Sequence, residues 1–102
     1  MDFRFKNKDL EKLYTDGKSK KYRLSDDIID KFFARIQQIE AANDIYDLWN
    51  DKGLHFEKLQ GYESRYSMRL KLKYRLELII EWQNTENTVG EFFIIDISDH
   101  YA

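Results

Sequence analysis

The sequence predicts a single α+β domain over residues 1–102, in which an N-terminal strand and two helices pack on one face of a small, mostly antiparallel sheet. Three observations predict this class. The chain of 102 residues is long enough for one core and too short for two. Apolar residues follow helical spacing up to about Gly53 and alternate after it. Aromatic residues, 16% of the chain, supply core volume. From the spacing of the apolar residues, the predicted order of elements is strand, helix, helix, strand, strand, strand.

The first strand and the first helix follow each other closely. Residues 2–6 alternate phenylalanine with charged side chains, which predicts a strand with one apolar face. Asn7 is a residue type that caps helices, and a helix over residues 8–16 gathers its apolar side chains on one side. Gly17 stands where a left-handed residue ends many helices, and a polar, basic loop over residues 18–24 comes next. The apolar positions of this helix are Leu10, Leu13 and Tyr14.

A longer helix is predicted over residues 26–42. Ser25 is a good N-cap residue, and the two aspartates that follow it suit the positive end of the helix dipole. Asn43 is expected to cap a short helical turn that ends at Trp49. The apolar face of the long helix consists of Ile28, Ile29, Phe32, Phe33, Ile36 and Ile39.

Three or four strands are predicted after the helices, over residues 54–59, 65–72, 75–83 and 91–97, with a loop over residues 84–90. The last of them is apolar enough for a central strand. The second and third alternate, so one face of each should pack on the helices. The expected inward side chains are Tyr66, Met68, Leu70, Leu72, Leu76, Leu78, Ile80 and Trp82. Their expected partners on the long helix are Phe32, Phe33, Ile36 and Ile39.

Composition excludes several kinds of chemistry. The chain has no cysteine, which excludes disulfides, a thiolate nucleophile and sulfur-bound metal centres. Its two histidines are too few for a histidine-rich metal site, and it has no glycine-rich phosphate loop. No metal or cofactor is therefore expected. The longest apolar runs have four residues, whereas about 18 are needed to span a bilayer, so a cytoplasmic protein without membrane contact is expected.

Charge is balanced over the whole chain and biased in one segment. A formal net charge of −2 argues against a general nucleic-acid binder. Residues 58–75, however, contain six basic residues and one acidic residue, which is about +5 by counting. Arg69 and Lys71 should lie roughly 6–7 Å apart on the outward face of a strand and could hold one phosphodiester, although any one-sided sheet also leaves a polar face. The other basic residues expected to contact an anionic ligand are Lys58, Arg65, Lys73 and Arg75.

Three further residues could supply acid–base chemistry. Glu57 could act as a general base if its strand directs it to the same face as Arg69, and it could equally be a solvated strand residue. His100 could donate a proton near neutral pH, and Tyr101 could stack on a base or orient a phosphate. The alternative is that both belong to a frayed tail. His55 has no spaced partner and is expected to be structural or exposed.

Four short motifs in order resemble the RelE/ParE superfamily of bacterial toxins, and within it the HigB-like killer proteins. They are Phe56-Glu57-Lys58-Leu59-Gln60-Gly61, Tyr66-Ser67-Met68-Arg69-Leu70, Tyr74-Arg75-Leu76 and Asp99-His100-Tyr101. The N-terminal half also resembles the killer proteins, so the resemblance covers nearly the whole chain. It implies a RelE-like microbial RNase fold and the toxin of a type II toxin–antitoxin system. Such toxins are typically ribosome-dependent mRNA endonucleases, so the implied partners are mRNA on the ribosome and a cognate antitoxin.

The resemblance also implies roles for individual residues. YoeB-like toxins use a carboxylate, an arginine and a terminal His-Tyr pair, which match Glu57, Arg69, His100 and Tyr101. HigB-like proteins usually end in Asp-Tyr-His and are basic overall, and this chain departs from both features. Two alternatives stay open at this point: a ParE-type toxin that inhibits DNA gyrase by contact, and a superfamily member that only binds a partner.

Overall fold

The computed structural model describes residues 1–71 and 73–99 and has the predicted α+β architecture. Five strands form one sheet in the order β1-β5-β4-β3-β2, in which β1 runs parallel to β5 and the other neighbours are antiparallel. The helices are α1 (Lys8–Asp16), α2 (Asp26–Ala41) and α3 (Ile45–Trp49). The strands are β1 (Phe3–Phe5), β2 (Glu57–Lys58), β3 (Arg65–Lys71), β4 (Tyr74–Trp82) and β5 (Gly90–Ser98). In the part of the chain that is described, no helix is both long and apolar enough to cross a bilayer.

The ends of α1 are those that the sequence predicts. The side-chain oxygen of Asn7 accepts hydrogen bonds from the backbone N–H groups of Asp9 and Leu10, at 3.0 and 3.2 Å. Gly17 ends the helix with φ at +78°, and its N–H donates to the carbonyl of Leu13 at 2.9 Å. A side chain at this φ is disfavoured, which explains the glycine.

Three local expectations are wrong. The side chain of Ser25 makes no capping hydrogen bond, so α2 begins without one. Asp44 rather than Asn43 caps α3, because its carboxylate accepts from the N–H of Tyr46 at 2.9 Å. The strand expected over residues 54–59 is only β2, preceded by a single 3₁₀ turn over Lys52–Leu54. That turn buries Leu54 in the core, which an extended chain on the outside of the sheet would not do.

The core lies between the helices and one face of the sheet. Met68, Leu76 and Leu78 are fully buried there, and so are Phe32, Ile36 and Ile39 of α2. Phe33 is half-buried and contacts the rings of Tyr14 and Phe32. Trp82 is also half-buried and packs against the core. Leu72, which was expected to point inward, lies outside the described residues. The prediction of helices on one face of a mostly antiparallel sheet is therefore confirmed, and β5 has a strand on each side of it.

The basic loop between α1 and α2 is anchored by a buried tyrosine. The hydroxyl of Tyr22 donates to Asp96 at 2.7 Å and accepts from the side-chain amide of Asn7 at 2.7 Å. The same amide donates to the carbonyl of Ile95 at 3.1 Å. Burial, followed by the hydrogen bond to Asp96, raises the pKa of the Tyr22 hydroxyl above its ordinary value. The loop is thus fixed to β5 and to the start of α1.

Replacement Tyr22→Phe should change the pH dependence of stability. The folded protein keeps Tyr22 protonated where the unfolded chain ionises it, so the free energy of unfolding of the wild type should fall as the pH rises above about 10. The variant should lose about 1 kcal/mol at neutral pH, because its hydrogen bonds are gone, and then decline less between pH ~9 and ~11. Urea denaturation across this range measures both effects. Parallel decline of the two proteins would contradict this account of Tyr22.

Candidate active site

Four polar residues share the face of the sheet that is turned away from the helices, here named the outer face. The strand register places Glu57 opposite Ser67, and Arg69 opposite Arg75. Directly opposite residues of an antiparallel pair point to the same side, as do residues two positions apart along a strand. Because Met68, between Ser67 and Arg69, is buried in the core, these four side chains lie on the outer face. Glu57 and Arg69 therefore share one face.

Arg75 is buried at the centre of this group. It is 8% exposed, and its Nε donates to the hydroxyl of Ser67 at 2.8 Å. Its Nη2 donates to the carbonyl of His55 and lies 3.4 Å from the Glu57 carboxylate. A buried guanidinium is costly unless its donors have partners, so these contacts fix the positions of the groups that satisfy it. One side chain of β4 thus connects β3, β2 and the segment that precedes β2.

Glu57 combines a fixed position with access to solvent. Its side chain is 52% exposed although one oxygen is close to Arg75. The chain enters β2 through His55, which has a left-handed φ of +45° that is uncommon for residues other than glycine. The carbonyl of His55 is held by Arg75, so the same guanidinium supports both the unusual backbone and the carboxylate that follows it. The side chain of His55 is exposed, as expected.

Arg69 is an exposed cation that takes part in no ion pair among residues 1–71 and 73–99. The sequence predicts that Arg69 and Lys71 lie together on the outer face, and the structure separates them. The register of β3 slips by one residue between them, and the Lys71 ammonium lies 2.8 Å from Asp27 at the start of α2. A bulge of this kind breaks strict alternation, which explains why Lys71 reaches the helix. The hydrogen bond from Lys71, and then its charge, lower the pKa of the Asp27 carboxyl.

The segment 58–75 is less positive in space than in sequence. Carboxylates from outside the segment pair with four of its six basic residues: Glu77 with Arg65 at 3.9 Å, Asp27 with Lys71 at 2.8 Å, Asp99 with Lys73 at 3.8 Å and Glu57 with Arg75 at 3.4 Å. Arg65 also covers the ring of Tyr62, with 4.1 Å from its guanidinium carbon to the ring centroid. In the described part of the chain, only Lys58 and Arg69 of this segment are outside such pairs.

The terminal pair His100 and Tyr101 lies outside the described residues. The strand that leads to this pair lies next to the group, because Ser98 of β5 is opposite Arg75 of β4. Within the described ranges, no three His, Asp or Glu side chains come together as possible metal ligands.

Sequence reasoning missed the burial of two members of the group. Strict alternation predicts that Ser67 and Arg75 are solvated, whereas Ser67 is fully buried and Arg75 nearly so. They cover each other on a face without helices. The signal that could have found them is a serine and an arginine at diagonal positions on adjacent strands, because Ser67 is opposite Glu77 and Arg75 is opposite Arg69.

The chain matches the HigB-like toxin family, described as the RelE-like toxin of type II toxin-antitoxin system HigB, over residues 3–96. The matched range includes Glu57, Arg69 and Arg75 and ends before His100. A search of curated proteins finds no match. Because the match covers most of the chain and the fold is the α+β fold that the resemblance implies, the chain belongs to the HigB-like family of RelE-like toxins from type II toxin–antitoxin systems.

Proposed function

We propose that this toxin is a metal-independent endoribonuclease that cuts mRNA on the ribosome. The observation that carries the proposal is an exposed carboxylate, Glu57, on the same face as an exposed cation outside any described ion pair, Arg69. The guanidinium of Arg75 is buried on the same face and lies 3.4 Å from the Glu57 carboxylate. A general base and a cation on one open surface can act on the ribose and the phosphate of an RNA strand that is too long to be enclosed in a pocket.

The reaction is an internal transfer of the phosphate. Glu57 removes the proton of a ribose 2′-hydroxyl, and the 2′-oxygen attacks the adjacent phosphorus. The bond from phosphorus to the 5′-oxygen breaks, and that oxygen takes a proton from His100. The products are a 2′,3′-cyclic phosphate and a 5′-hydroxyl. In this scheme Tyr101 stacks on a base or orients the substrate.

Arg69 stabilises the negative charge that grows on the phosphate during attack. An arginine suits this role because its planar donors match two phosphate oxygens, and hydrogen bonds between charged groups are stronger than neutral ones. No carboxylate among residues 1–71 and 73–99 pairs with it, which leaves those donors available to RNA. Lys58 and Lys73 are exposed and can contact the RNA backbone, and Arg65 can do so from the rim. Lys71 is exposed as well, but it lies against Asp27 at the start of α2. Arg75 is assigned a supporting role, because its donors are already engaged.

Partners and location follow from this reaction. Membership of a type II family implies an antitoxin protein. In our proposal the antitoxin covers the outer face and so blocks Glu57 and Arg69. The substrate is mRNA in the ribosome, which places the activity in the cytoplasm.

A direct test uses purified toxin with end-labelled mRNA, either free or bound to purified ribosomes. The proposal predicts cleavage in the ribosome-bound sample without added metal beyond that of the ribosome. Intact mRNA in both samples, together with inhibition of gyrase supercoiling by the same toxin, would favour the contact mechanism of ParE-type toxins instead.

Replacements Glu57→Gln and Arg69→Ala should each lower the cleavage rate on ribosomes by about 10²–10⁴-fold, because each removes one acid–base or electrostatic contribution. Both side chains are exposed, so the free energy of unfolding should change by less than about 1 kcal/mol. The matched control is Lys31→Ala, which removes an exposed cation of α2 on the helix side of the sheet and should retain most of the rate. Equal loss of rate in all three variants would contradict the assigned roles.

Replacement Arg75→Met should reduce stability as well as activity. Loss of the guanidinium leaves the buried Ser67 hydroxyl without its hydrogen-bond donor, and we expect about 1–3 kcal/mol of destabilisation in urea. Glu57→Gln should cost less, since that carboxylate is half-exposed and solvent screens its pairing. If the two variants are equally stable, the outer face does not depend on the buried cation.

A further inference from the structure

A second buried arginine approaches the same strand from the opposite side of the sheet. Arg35 of α2 is 9% exposed and takes part in no ion pair among the described residues. Its Nε donates to the backbone carbonyl of Arg69 at 2.8 Å. Its Nη1 donates to the side chain of Gln38 at 2.8 Å, and its Nη2 to the carbonyl of Gly53 at 3.4 Å. The guanidinium therefore joins α2 to β3 and to the turn before β2.

The carbonyl that Arg35 binds lies at the end of β3 where the pairing with both neighbouring strands is irregular or absent. The register with β4 slips between Arg69 and Lys71, and a bulge disrupts the regular ladder of backbone hydrogen bonds. On the other edge, β2 pairs with β3 only at Tyr66 and Ser67, so it ends before Arg69. Arg35 therefore supplies a side-chain hydrogen bond to the main chain of β3 where backbone pairing with β2 and β4 is weakest.

Packing alone does not explain an arginine at this position. Burial is the main cause that lowers the pKa of Arg35, which shows that the site disfavours the charge. An apolar side chain of similar length would fill the space without that cost. What an apolar side chain cannot do is donate hydrogen bonds to two backbone carbonyls and an amide oxygen. The contacts of Arg35 also extend to Asp51, because Gln38 donates to that carboxylate at 3.2 Å.

We propose that Arg35 is a positioning residue of the nuclease site, which fixes the main chain of Arg69 from the helix side and so sets the direction of the Arg69 guanidinium on the outer face. This inference rests on the proposed role of Arg69 in RNA cleavage. Arg35 itself touches no substrate, because it lies beneath the sheet. Its effect should therefore appear in the rate of the chemical step rather than in ribosome binding.

The test compares Arg35→Met and Arg35→Lys with a control in the same helix, Ile39→Val, which perturbs the core without touching Arg69. Cleavage of ribosome-bound mRNA is followed at saturating ribosome concentration, with each rate divided by the folded fraction. We expect Arg35→Met to lower the rate about 10–100-fold with less than about threefold change in the half-saturating concentration. Arg35→Lys, which keeps one charged donor, should lie between it and the wild type, and Ile39→Val should keep the wild-type rate.

A second measurement does not depend on activity. The carbonyl carbon of Arg69 and the amide of Leu70 report the hydrogen bond directly in NMR spectra of the folded protein. Both signals should shift in the two Arg35 variants and stay in place in Ile39→Val. Unshifted signals, or wild-type rates per folded molecule in both Arg35 variants, would overturn the inference. Absence of cleavage by the wild type would instead overturn the proposed function on which it rests.

Discussion

The buried guanidinium of Arg75 is the constraint on which the candidate site depends. A cation at 8% exposure on a face without helices must find its partners within the sheet, and it finds them on β3 and on the segment that leads into β2. Ser67, His55 and Glu57 are consequently held around it. The two-residue strand β2, which has few backbone pairs of its own, is thereby fixed beside β3. A carboxylate on so short a strand would otherwise be poorly positioned.

Two arginines thus define the end of β3 from opposite sides. Arg75 acts on the outer face through side chains and one carbonyl, whereas Arg35 acts from the helix side through the main chain of Arg69. Both arginines donate their hydrogen bonds to groups within the protein. Arg69, between them in the fold, is exposed and outside the described ion pairs. Arg75 and Arg35 thus hold the surface in place, and in the proposed function Arg69 acts on the phosphate. Electrostatic preorganisation requires a charged group that is held in position in this way.

The sequence predicts the inner half of the fold well and the outer face poorly, for a physical reason. Helical spacing and strand alternation are local signals of burial against a core, and they locate α1, α2 and the inward side of β3 and β4. The outer face depends on contacts between distant segments. Glu77, Asp99 and Asp27 neutralise basic residues of segment 58–75 from elsewhere in the chain, and no local count includes them. The bulge that turns Lys71 toward α2 has no local signal either.

In the proposed function, the outer face cuts RNA by attack of a ribose 2′-hydroxyl on the adjacent phosphate. The most direct measurement places a single 2′-deoxy nucleotide on the 5′ side of the bond that the wild-type toxin cuts in a ribosome-bound mRNA. We expect this one bond to become resistant while other sites in the same message are still cut, and the product of the unmodified message to carry a 2′,3′-cyclic phosphate. Cleavage of the deoxy-substituted bond at the normal rate would contradict the proposed reaction, because the nucleophile would then come from another source.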